Sequence, residues 1–140
     1  MQKFRAAGGG SLTYRLDFSQ SHFANISFFD VPQGAILFHL SLRHADQLAG
    51  VNARPDDAWQ TERSRETTLA TEGDMVAIHF DDGGVRVLLN DAEIFAYADE
   101  FSNLDQIGHI AFQGGITKDS LKAQGPGNVK RQTFGALSFV

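Results

Sequence analysis

Within the run Ala35 to Arg43 apolar and polar residues alternate strictly from Phe38 onward, and nowhere does the chain hold apolar residues at i, i+3, i+4 and i+7 for three turns. That pair of facts removes amphipathic helices and leaves strands, because side chains of a strand point to opposite faces in turn. Similar runs recur over 11–18, 23–29, 65–69, 75–80, 85–89, 93–97, 109–113 and 132–140, with a shorter one around Val51 and Asn52. Turn formers separate them: Asp30 to Gly34, Arg54 to Asp57, Thr71 to Asp74, Asp81 to Gly84, and Asn90 with Asp91. Phe101 to Leu104 reads as one irregular helical turn. About ten short strands with such turns predict an all-β domain, an antiparallel two-sheet jelly-roll-like sandwich, whose core the 12 phenylalanines supply.

At 140 residues one domain over 11–140 is the simplest organisation, preceded by a flexible segment over 1–10 that ends in Gly8, Gly9 and Gly10. A long loop is expected over 114–131, which holds five glycines or prolines. The absence of cysteine excludes disulfides, thiolate nucleophiles and cysteine-based zinc sites. The five histidines lack metal-ligand spacing, and no cofactor motif stands in its required context. Charges are interspersed with a net of −5, so no basic patch suits nucleic acid. No apolar run is long enough to enter a membrane. A soluble protein is expected, either cytoplasmic or exported without a conventional signal peptide.

The polar face of the 35–43 strand carries chemistry. Ile36, Phe38, Leu40 and Leu42 point one way. His39, Ser41 and Arg43 point the other, spaced about 6.5–7 Å apart. Asn52, Trp59 and Glu62 follow closely. An imidazole, a hydroxyl, a guanidinium, an amide, an indole and a carboxylate together suit a hydroxyl-rich ring with one apolar face, which describes a sugar.

These residues resemble the galectins, the β-galactoside-binding lectins of the galectin/concanavalin A-like sandwich class. The family signature runs His-x-Asn-x-Arg, then an Asn closing a Val-x-Asn-like motif, then Trp-Gly-x-Glu-x-Arg. This chain has His39-Leu40-Ser41-Leu42-Arg43, then Val51-Asn52, then Trp59-Gln60-Thr61-Glu62 with Arg63 and Arg65 beyond. The similarity covers 11–113, and 132–140 matches the last strand in character. It implies a lectin for β-galactoside-containing glycans such as lactose, without catalysis. Trp59 would be the platform for the sugar's apolar face, His39 and Arg43 would donate to the axial 4-hydroxyl, Asn52 would take the 6-hydroxyl, and Glu62 would hold Arg43. It also implies a homodimer through 11–18 and 132–140, with Leu12, Leu137 and Phe139 contributing.

Four departures stand out. Ser41 replaces the middle Asn, Gln60 replaces Gly, and the connection from Arg43 to Asn52 is shorter. The arginine after Glu62 is also out of step: Ser64 occupies its position, and a β-bulge is expected to return Arg65 to the Glu62 face. An interaction module on the same fold that has lost sugar binding is the main alternative. A glycoside hydrolase needs two carboxylates across the sugar, and Glu62 has no evident partner in the sequence.

Overall fold

The computed structural model describes residues 10–30, 32, 34–81, 84–98, 100–101, 103–124 and 136–139, with residues 124 and 136–139 described as backbone only. The expected lead-in over 1–9, the tip of the 81–84 turn and the segment 125–135 lie outside the described residues. So do the side chains of Leu137 and Phe139.

The chain forms β1 (Ser11–Asp17), β2 (Phe23–Asp30), β3 (Ile36–Arg43), β4 (Leu48–Arg54), β5 (Arg63–Glu66) and β6 (Glu72–Asp81). It continues through β7 (Gly84–Leu89), β8 (Ala92–Ala98), β9 (Ile107–Gly114), β10 (Ile116–Gln124) and β11 (Ala136–Phe139). One 3-10 turn at Leu104–Gln106 precedes β9, slightly later than the 101–104 expected. The strands make a five-stranded sheet in the order β10-β1-β6-β7-β8 and a six-stranded sheet in the order β11-β9-β2-β3-β4-β5. The fold is an all-β two-sheet sandwich.

Alternation puts the core between the sheets. Leu12, Tyr14 and Leu16 of β1 and Val76, Ile78 and Phe80 of β6 meet Ile26 and Phe28 of β2, Leu40 and Leu42 of β3, and Phe112 of β9, all buried in one cluster. Phe28 and Phe80 meet edge to face at 5.1 Å, and Phe38 meets Phe101 at 5.0 Å. Each such ring contributes about 1.5–3 kcal/mol by leaving water. That burial fixes the register of β3, since a slip of one residue would turn its apolar set outward.

Four expectations are corrected. Ile36 does not share the Phe38 face, because the β2–β3 register shifts between Phe28 and Phe29, and Leu37 joins the core cluster instead. The expected loop over 114–131 contains β10, an edge strand whose polar sequence hides it; β10 bulges against β1, where Ser120 Oγ accepts from Arg15 N at 2.7 Å. β1 lies inside its sheet between β10 and β6, and Leu12 is fully buried, so 11–18 offers no free edge to a second copy. Finally, β11 pairs with β9 in parallel, whereas the other strand pairs are antiparallel.

Gly114 makes the turn from β9 into β10. Its φ of +90° falls where side chains are strained, and a Cβ there would stand 2.2 Å from the Phe23 carbonyl oxygen.

Candidate functional site

The six-stranded sheet has one face on the core and one turned away from it, and β3 sits near its middle. On the outward face His39 pairs across to Ser27 and Asn52, Ser41 to Asn25 and Gly50, and Arg43 to Phe23 and Leu48. The three polar groups of β3 therefore stand in a column. A column from β2 flanks it on one side, and β4 flanks it on the other.

His39 is held from two directions. Its Nδ1 and the Ser27 hydroxyl lie 2.8 Å apart in a hydrogen bond. Its ring meets Trp59 edge to face at 5.2 Å. Burial holds the imidazole below its ordinary pKa, with the Glu62 carboxylate pushing it up and the Arg43 guanidinium pushing it down. A neutral ring offers one donor and one acceptor. With Nδ1 committed to Ser27, Nε2 is the nitrogen left for anything above the sheet.

Trp59 lies outside the core, 46% exposed, the one large hydrophobic side chain so exposed among the described residues. The Arg54 guanidinium approaches its ring at 5.6 Å, and Gln60 N donates to Ala53 O at 2.9 Å, which ties the Trp59 segment to the end of β4. An indole braced by an imidazole and a guanidinium keeps a fixed orientation while leaving area for contact.

Arg43 Nη2 donates to Glu62 Oε2 at 2.5 Å, and Arg43 Nε donates to Ser41 Oγ at 3.2 Å. Both members of the ion pair are about a third exposed (33% and 35%), so its worth lies in orientation more than in stability. Glu62 lies over Gly50. A Cβ at that position would be 2.7 Å from Glu62 Oε1 and 2.8 Å from its Cδ.

The structure thus brings together His39, Ser41, Arg43, Asn52, Trp59 and Glu62. It places two of them differently from expectation. Ser41 is only 5% exposed, and its hydroxyl accepts from Arg43, so it sits as a recess and an anchor rather than a protruding contact. Asn52 Oδ1 accepts from Ala53 N at 2.9 Å, which turns its carbonyl back on its own strand.

Arg65 does not join them. The β4–β5 register runs without a shift, pairing Gly50 with Ser64 and Ala49 with Arg65. Ala49 is core, so Arg65 follows it toward the other sheet, where its Nη1 donates to Ile94 O at 3.1 Å. Arg63 goes the same way, its guanidinium 4.8 Å from the Tyr97 ring centre and 5.2 Å from that of Phe101. The expected bulge is absent, and both arginines close the side of the sandwich instead. Ser64 takes the place beside Gly50.

Ser27, Gly50 and Arg54 were missed in the sequence. Alternation in β2 placed Ser27 opposite the apolar set, but nothing local said it would face His39. Among the described residues no group of three or more His, Asp or Glu side chains could hold a metal, and no helix is long and apolar enough to cross a membrane.

The profile of the galactoside-binding lectins matches residues 13–123. The chain belongs to this family, the galectins. Solved galectins share its fold. A crystal structure of Caenorhabditis elegans galectin LEC-6 superposes with a TM-score of 0.64 at 14% identity, covering 89% of this chain and 83% of that one. Sheep galectin-11, in complex with glycerol, gives 0.69 at 14% identity over 87% and 94% of the two chains. Chicken galectin 2 gives 0.65 at 19% identity over 87% and 93%. No curated protein sequence matches the chain significantly. This galectin is therefore a divergent member, close in backbone and distant in side chains.

Proposed function

We propose that this galectin binds β-galactosides, in the manner of a lectin and without catalysis, in a shallow groove over β3 and β4. One observation carries the reading: an exposed Trp59 stands edge to face with His39, which shares its strand face with Arg43. The apolar C–H face of a galactose would lie on the indole. Its axial 4-hydroxyl would meet His39 Nε2 and the Arg43 guanidinium. The Asn52 amide nitrogen would donate to the 6-hydroxyl, and Glu62 would accept from a neighbouring hydroxyl while holding Arg43.

Glucose, with an equatorial 4-hydroxyl, would leave those donors unpaired, which is the source of discrimination. Hydrogen bonds worth about 0.5–1.5 kcal/mol each in a water-open groove favour modest affinity. The expected Kd for lactose is roughly 10 µM to several mM. Titrating lactose while following Trp59 fluorescence tests this, with a saturable shift expected. Silence up to tens of millimolar of lactose, galactose and N-acetyllactosamine would refute it.

A second reading is a galectin-fold interaction module that no longer binds sugar. Ser64 beside Gly50, where the family signature has an arginine, favours it. A protein partner that remains bound in saturating lactose would support that reading.

A further inference from the structure

Asn25 lies on the outward face of β2, paired across to Ser41 on one side and Gln113 on the other. It is therefore the direct neighbour of the position where the family signature carries a carboxamide and this chain carries a hydroxyl. Adjacent strands run about 4.8 Å apart, so an Asn side chain on β2 reaches the space above a recessed serine on β3. Ser41 leaves that space open, being small, buried and turned to Arg43.

The amide itself is unsettled. Asn25 Oδ1 is shielded from water and has no hydrogen-bond partner, although the residue as a whole is only part-buried. An unpaired buried carbonyl oxygen costs its full desolvation, and Val or Thr would suit a strand at this position without that cost. Such local violations concentrate where a ligand completes the pairing. Asn25 needs only rotation of its terminal amide to face the groove with either its oxygen or its nitrogen.

We propose that Asn25 is a ligand-contacting residue of this galectin, supplying from β2 the carboxamide that Ser41 does not. The proposal rests on the galactoside reading above. The site then extends one strand toward β2, with Asn25 meeting the sugar across the Ser41 recess while Trp59 and Arg43 keep their contacts.

The test compares Asn25→Val and Asn25→Ser with the unmodified protein, measuring lactose affinity through Trp59 fluorescence and thermal unfolding in the same samples. Asn25→Val removes the unpaired oxygen and keeps the volume, so it is expected to melt at or above the unmodified temperature. Its lactose Kd is expected to rise roughly tenfold, or about 1.4 kcal/mol. Asn25→Ser should weaken binding similarly, since one hydroxyl is too short to span the recess. Unchanged affinity in both variants overturns the proposal. So does a loss of affinity matched in both by a lower melting temperature, which marks a structural role. If the unmodified protein ignores lactose, galactose and N-acetyllactosamine, the galactoside reading falls and takes this one with it.

Discussion

Replacing Gly50 with alanine separates positioning from stability at this site. The new Cβ would stand 2.7 Å from Glu62 Oε1, 2.8 Å from Cδ and 3.2 Å from Cγ. Carbon contacts settle near 3.5–4.0 Å, so the Glu62 side chain must withdraw by roughly 1 Å. The obstacle is the far end of a flexible side chain, so the backbone of β4 need not move. Withdrawal opens the Arg43–Glu62 pair from its 2.5 Å contact and leaves the guanidinium held by Ser41 alone. Losing that restraint should cost about 1 kcal/mol of binding, a roughly fivefold rise in the lactose Kd.

Stability moves the other way or barely at all. Alanine restricts the unfolded chain, which is worth about 0.4–1 kcal/mol, and a pair this exposed is worth no more than about 1 kcal/mol. The melting temperature should therefore stay within a few degrees. Glu62→Gln, which keeps the shape and removes the charge, should weaken binding similarly. The double variant should lose little more than either single one, because both act through the same restraint on Arg43. Unchanged affinity in Gly50→Ala, or full additivity in the double variant, would refute the role given to this glycine.

Trp59→Ala should abolish measurable lactose binding, because it removes the one large exposed apolar side chain among the described residues, and should leave the melting temperature nearly unchanged, because the indole is exposed; glycan binding by calorimetry and thermal unfolding check both. Arg43→Ala should weaken lactose binding more than tenfold, whereas Arg65→Ala should not change it. Arg65→Ala removes only the bond to Ile94 O, and its effect should show as a small loss of stability of about 0.5–1.5 kcal/mol in denaturant titration.

The His39 pKa lies below its ordinary value in the folded protein, so the unfolded chain binds more protons and stability rises with pH. The contribution is fully present above about pH 6.5, the unfolded value, and is lost as pH falls toward the folded one. His39→Gln should flatten that slope below about pH 6.5 in urea melts.

The strand periods, the turn residues and the gathering of His39, Arg43 and Trp59 around one strand were determined by the sequence alone. Alternation is local, and a face once assigned to the core cannot change without turning Leu40 and Leu42 into water. Where that apolar signal was weak, the reading failed. β10 is a largely polar edge strand, recognisable only through its partner β1. The shift at Phe28 exchanged Ile36 for Leu37 because a bulge belongs to two paired strands, not to either sequence. Arg65 went to Ile94, and no bulge formed, because β5 follows β4 in unbroken register. The neighbours Ser27, Asn25 and Gly50 could be known only once sheet order put β2 and β4 on either side of β3. Period along a chain is fixed by consecutive residues, whereas what stands beside it depends on strands brought together by burial of the whole core.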